Sequence, residues 1–102
     1  MRKLAKVWLF LNMVGAATAA TNYWDTNGTV EGFGTASGTW GVDAFWSGDA
    51  TGLSVPAVTH TTTADDLLFG TRQHGLAAGT LTVEGTQQAF RSLRFGAASG
   101  PI

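Results

Sequence analysis

The chain has 102 residues, a formal net charge of −1, 14 glycines and no cysteine. Its length allows one small domain, and the lack of cysteine excludes a disulfide framework. Residues 21–102 carry three arginines against seven acidic residues. This balance argues against nucleic acid or an anionic lipid surface as a partner, because the chain has too few positive side chains to neutralise their negative charges.

The first segment, residues 1–20, has the three parts of a secretory signal peptide. Three basic residues in MRKLAK precede the apolar run VWLFLNMVG, and the small residues ATA follow at positions 17–19. The apolar run is shorter than the roughly 20 residues that a membrane-spanning helix needs. We therefore predict a signal-peptide helix, export to the cell surface or the medium, and no membrane span after cleavage.

The second segment, residues 21–52, places large aromatic rings among glycines and threonines. Its large rings are Trp24, Trp40 and Trp46, accompanied by Tyr23, Phe33 and Phe45. These rings can stack on sugars and form a carbohydrate-binding face, or they can be buried as a cap over the first layer of a larger β structure. Each buried ring removes roughly 150–250 Å² from water, which a small domain without disulfides requires. The cap is therefore the favoured interpretation, with carbohydrate stacking as the alternative.

A short acidic stretch, DTNG at residues 25–28, resembles the beginning of a calcium-binding loop. The acid that such a loop places at its twelfth position is replaced by Ala36. Asn-Gly is also a strong signal for a tight turn. The turn is the favoured interpretation, and we predict no metal site.

No catalytic arrangement is apparent in the sequence. Asp65 and Asp66 are adjacent, so a regular strand would direct them to opposite faces. His60 and His74 lack a third ligand at metal-binding spacing, and no G-x-S-x-G motif occurs. We predict a protein without enzymatic activity and without a cofactor.

The remaining sequence predicts an all-β fold, because no stretch keeps apolar residues at helical spacing without an intervening glycine. Four strands are expected, at residues 53–59, 66–69, 80–84 and 89–95. Pro56 places the first of them at a sheet edge or a bend. In residues 80–84 (TLTVE), apolar and polar residues alternate, as in a strand with one buried face.

An internal repeat relates residues 64–71 (ADDLLFGT) to residues 90–97 (FRSLRFGA) at an offset of 26. Leucine, phenylalanine and glycine recur, while the intervening Leu68 corresponds to Arg94 and is expected to face outward. Short strands repeating at this period are typical of a β-solenoid. The predicted stacked core consists of Leu67, Phe69, Leu81, Val83, Leu93 and Phe95.

The order of these motifs resembles the beginning of the autotransporter-associated β-strand repeat proteins. It comprises a signal peptide, YWDTNG at 23–28, GTW at 38–40, FWSGD at 45–49, DDLLFG at 65–70, TLTVEG at 80–85 and SLRFG at 92–96. The resemblance implies an N-terminal fragment of a passenger-type, right-handed parallel β-helix, without catalytic residues common to the family. The sequence departs from a full autotransporter in lacking strands for a C-terminal membrane barrel.

The sequence therefore predicts a signal peptide at 1–20, an aromatic cap at 21–52 and the first solenoid coils at 53–102. The expected function is that of a structural, adhesion-related segment of a secreted or surface protein. Its expected partners are downstream coils of the same protein and surface glycans or host and matrix molecules. Alternatives are a secreted carbohydrate-binding β-sandwich and the non-catalytic leader of a surface polysaccharidase.

Overall fold

The computed structural model describes residues 20–85, 87–96 and 99–102, and these residues contain strands, turns and loops but no helix. Glycine-rich turns keep the strands short. Eight of the described glycines adopt a positive φ, which residues with a side chain rarely do. The strands are β1 (Ala20–Trp24), β2 (Gly38–Trp40), β3 (Trp46–Ser47), β4 (Asp65–Phe69), β5 (Leu81–Val83) and β6 (Ser92–Phe95).

Four strands form the larger sheet, in the order β3-β1-β4-β6. β1 pairs in parallel with β4, and β4 pairs in parallel with β6. β3 runs antiparallel to β1 and covers the edge of β1 that faces away from β4. The chain thus crosses this sheet three times in the same direction, and no described strand pairs with the outer edge of β6.

The register of β4 and β6 confirms the internal repeat at an offset of 26. Leu67 is paired with Leu93, and Phe69 is paired with Phe95. Gly96, which follows β6, donates its backbone N–H to the carbonyl of Phe69 at 2.9 Å. Residues that match in sequence therefore lie side by side in the structure.

The smaller sheet pairs β2 and β5, again in parallel. An isolated parallel bridge between Thr35 and Ala77 extends the same relationship towards the N-terminal side of both strands. Segments 42 to 45 residues apart are therefore neighbours in both sheets. Parallel pairing of this kind requires long connections between the paired strands. Residues 41–64, for example, belong to the connection between β2 and β5.

The all-β prediction is correct for the described residues, whereas one predicted strand is absent. Residues 53–59 form no strand, and only Val58 makes a bridge, to Trp46. Pro56 within this stretch removes one of the backbone donors that a strand requires. The mostly parallel pairing also differs from the closed antiparallel sandwich considered as an alternative. The predicted signal peptide lies outside the described residues, except for Ala20 in β1.

The core lies between the two sheets and is mainly aromatic. One row of rings crosses all four strands of the larger sheet, with centroid separations of 5.0 Å from Trp46 to Trp24, 6.1 Å from Trp24 to Phe69 and 5.3 Å from Phe69 to Phe95. We call this row the aromatic ladder. Trp40, from β2, packs edge-on against Trp46 and Phe69. Edge-to-face pairs of this kind add to the stabilisation that burial provides.

Candidate binding cleft on the outer sheet face

The opposite face of the larger sheet carries two rows of side chains directed away from the aromatic ladder. Because side chains alternate along a strand, positions 21 and 23, 66 and 68, and 92 and 94 share this outer face. They border an open cleft of about 500 Å³, which we call the outer cleft. It is lined by Thr21, Tyr23, Asp66, Leu68, Arg91, Ser92 and Arg94.

A hydrogen-bonded carboxylate stands at one end of the outer cleft. Asp66 accepts from Arg91 Nε at 3.0 Å, from Arg91 Nη2 and from the hydroxyl of Ser92. These donors lower the pKa of Asp66 to about 2, the contact with Arg91 being the largest cause and that with Ser92 the next. Asp66 is therefore ionised at neutral pH and held in a fixed orientation.

The second row brings together an aromatic ring, an apolar floor and a cation. Tyr23 is paired with Leu68, and Leu68 is paired with Arg94. The ring of Tyr23 stacks in parallel on Phe33, with centroids 5.7 Å apart. Arg94 is exposed, and among the described residues no carboxylate lies within 4 Å of its guanidinium group. This row therefore offers a flat ring on one side of Leu68 and, on the other, a positive charge without a direct ion-pair partner among the described residues.

The three tryptophans named as candidate carbohydrate-stacking residues lie in the core. Trp24 and Trp46 are fully buried, and Trp40 is 4% exposed. Trp24 Nε1 donates to the carbonyl of Ser37 at 3.3 Å, and Trp40 Nε1 donates to the hydroxyl of Thr61 at 3.2 Å. None of these indoles presents a ring face to solvent, so a sugar cannot stack on them in this conformation.

The six residues of the predicted stacked core differ in exposure according to their position in the sheets. Leu67 and Phe69 are fully buried in β4, and Leu81 and Leu93 are half-buried against the core. Val83 and Phe95 are 43% and 59% exposed. Both belong to strands at the edge of their sheets, where no further described strand covers them.

The acidic stretch after β1 forms a turn. The backbone N–H of Asn27 donates to Asp25 Oδ1 at 3.0 Å, and Gly28 has a φ of +69°. Asp25 is fully buried, and its Oδ2 has no hydrogen-bond partner among the described residues. Burial raises the pKa of Asp25, and the nearby charge of Asp49 raises it further. The described residues contain no group of three or more acidic or histidine side chains that could hold a metal ion.

Sequence reasoning did not identify the outer cleft. It placed Arg94 on the outward face and considered Tyr23 only as one of the rings of a cap or a carbohydrate-binding face, and it assigned no role to Thr21 or Ser92. The signal was the alternation within the repeat, which directs positions 66 and 68 to the same side as positions 92 and 94. β1, however, shares no motif with β4, so only the folded chain brings Tyr23 to this surface.

No helix in the described part of the chain is both long and apolar enough to cross a membrane. No family model matches the chain, and no solved structure matches it. One curated protein, the adhesin BmaC autotransporter of Brucella suis biovar 1 (strain 1330), is 40% identical over 83 residues, which is 80% of this chain. The chain spans only 2% of the length of that protein. The comparison thus establishes a relationship between this chain and a short part of an autotransporter adhesin.

Proposed function

We propose that the chain is a non-catalytic structural segment of an exported, adhesion-related surface protein, and that its strands are the first coils of a β-solenoid. The observation that carries the proposal is the parallel register of β1, β4 and β6, in which Leu67 and Phe69 lie beside Leu93 and Phe95. In a solenoid, each coil pairs in parallel with the preceding one and buries its inner side chains against it.

The antiparallel strand β3 supports a capping role for the aromatic segment at residues 21–52. It pairs with the edge of β1 opposite β4, through Tyr23 with Ser47 and Trp24 with Trp46. An uncovered parallel edge would present unpaired backbone groups to other chains. In this proposal, β3 closes one end of the stack, and the aromatic ladder joins this cap to the coils.

The uncovered edge of β6 and the exposed ring of Phe95 support growth in the other direction. A further strand paired with β6 would cover Phe95 in the same way that β6 covers Phe69. The rings of Phe69 and Phe95 already stack, at an interplanar angle of 15°. The mechanism is mechanical, because each coil offers a hydrogen-bonding edge and an apolar face to the next. It requires no cofactor or catalytic group.

The adhesion-related role and the surface location rest on the relationship to the adhesin autotransporter. Display can be tested with an epitope tag inserted after Val55, an exposed residue of the loop between β3 and β4. Antibody should label intact cells of the source organism, whereas the same tag on a cytoplasmic protein should need permeabilisation. Labelling of the tagged chain only after permeabilisation would contradict the proposal.

The solenoid can be tested in the gene itself. Genomic sequence downstream of the codon for Ile102 should encode further L-x-F-G strands at a spacing of about 20–30 residues. A stop codon followed by unrelated sequence would instead favour a separate module.

A further inference from the structure

We propose that the outer cleft binds a carboxylated saccharide, such as a chain of uronic acids, with Arg94 pairing with the sugar carboxylate and Tyr23 packing against the pyranose ring. This site differs from the tryptophan surface considered above, because its residues lie on the opposite face of the sheet. The proposal deepens the adhesion-related role and rests on it for its biological setting.

The charge distribution favours an anionic ligand at this location. Residues 20–102 carry only three arginines against seven acidic residues, yet Arg91 and Arg94 both line the outer cleft. Arg91 is bound in two contacts by Asp66, whereas Arg94 makes no ion pair with a described carboxylate. An acidic chain thus places two of its three arginines here against the single carboxylate of Asp66, and the guanidinium group of Arg94 makes no direct ion pair with a described residue. A guanidinium group matches the planar geometry of a carboxylate and can bind it through two hydrogen bonds.

The remaining side chains fit a sugar better than a simple anion. Tyr23 and Arg94 lie two strands apart, which is about 10 Å between their backbones, with Leu68 between them. This span accommodates a pyranose ring whose apolar face rests against Tyr23 and Leu68. Thr21, Asp66 and Ser92 form the adjacent row and supply hydroxyl and carboxylate groups that can bind sugar hydroxyls. Asp66 remains an acceptor at neutral pH because its pKa is about 2.

The test uses the full chain and isothermal titration calorimetry with trigalacturonate as the probe. The methyl-esterified trisaccharide serves as the uncharged control ligand. Arg94→Gln should weaken trigalacturonate binding by about tenfold or more, because a charge-assisted hydrogen bond is lost. Arg72→Gln makes the same change in net charge at an exposed position outside the cleft, and it should change the affinity by less than about twofold. Esterification should weaken binding to the unmodified chain by about as much as Arg94→Gln does.

Three results would overturn the proposal: no binding of trigalacturonate at millimolar concentration, equal affinity for the ester, or equal losses for Arg72→Gln and Arg94→Gln. Unchanged near-UV circular dichroism of the buried tryptophans would show that Arg94→Gln remains folded. Failure to bind the saccharide would leave surface display unaffected in the epitope experiment. Conversely, saccharide binding without surface labelling would contradict the proposed function alone.

Discussion

Asp25 is a buried carboxylate with one oxygen to which no described residue donates a hydrogen bond, and its burial makes it a source of pH-dependent stability. Its pKa is raised from 3.8 because burial disfavours the charged form, with an added contribution from Asp49. The folded chain therefore binds this proton more tightly than the unfolded chain does. As the pH rises from 3.8 through the raised pKa, the unfolding free energy decreases, and the cost persists at neutral pH.

Asp25→Asn should consequently raise the melting temperature at pH 7. The amide oxygen can still accept from the Asn27 N–H, as Oδ1 does now at 3.0 Å. The gain should disappear when the pH falls below 3.8, where the native carboxyl group is protonated in both states. Calorimetry from pH 3 to 8 measures this, and Glu84→Gln, at an exposed position, controls for net charge. A gain that is the same at every pH would contradict the assignment.

Two fully buried tryptophans of the aromatic ladder differ in their polar contacts. Trp24 donates its indole N–H to the carbonyl of Ser37, whereas Trp46 Nε1 has no partner among the described residues. Replacement of either by phenylalanine removes similar volume, but Trp24→Phe also leaves the carbonyl of Ser37 without this donor. Trp24→Phe should therefore reduce the free energy of unfolding by about 1 kcal/mol more than Trp46→Phe does. Urea unfolding followed by far-UV circular dichroism measures the difference, and a larger loss for Trp46→Phe would refute it.

At the scale of the strands, close approach between β4 and β6 depends on a glycine after β6. A Cβ atom on Gly96 would lie 2.6 Å from the carbonyl carbon of Gly70 and 2.7 Å from the backbone nitrogen of Thr71. These are backbone atoms of the neighbouring turn, so they can move away only if the strand pairing shifts. The glycine repeat at positions 70 and 96 thus has a steric reason in the spacing of successive turns.

Gly96→Ala should accordingly reduce the free energy of unfolding by roughly 1–3 kcal/mol. Gly48→Ala is a matched control, because Gly48 also lacks a positive φ and its Cβ would meet no atom closer than 4.0 Å. It should change stability by less than about 0.5 kcal/mol. Chemical denaturation of both variants distinguishes them, and equal stabilities would show that β4 and β6 do not pack as closely as described.

At the scale of the whole molecule, the two ends of the larger sheet are unequal. β3 covers one edge, whereas β6 has no described strand on its outer side and its Phe95 is 59% exposed. An uncovered edge with an exposed ring promotes association between chains. The isolated chain should therefore self-associate through β6 as its concentration rises.

Phe95→Lys should suppress this association, because a charge at the edge opposes the addition of another strand. Val42→Lys adds the same charge at a comparably exposed position outside the strands, and it should leave association unchanged. Sedimentation velocity over a range of concentrations measures both variants. Equal suppression by the two would indicate a general effect of charge and not an edge interaction.

The sequence alone determined the strand character of β4, β5 and β6 and the pairing of β4 with β6. Both follow from local information: alternation along a strand, and a repeat of Leu-x-Phe-Gly whose copies occupy equivalent positions. The same information predicted a strand at residues 53–59, where the folded chain forms none. Local patterns do not show whether a neighbouring strand is available to pair with a segment that contains Pro56.

Only the tertiary structure decided which aromatic rings are buried and which remain accessible. Trp24, Trp40 and Trp46 are buried by partners that include residues 22 to 45 positions away. Tyr23 meets Arg94 through Leu68, and Val83 and Phe95 are exposed because no further described strand covers them. A strand's own alternation sets two faces, but the neighbouring strands determine which face is covered. The environment of each side chain is therefore set by non-local pairing, and apart from the repeat that relates β4 to β6, no local pattern in the sequence reveals which strands pair.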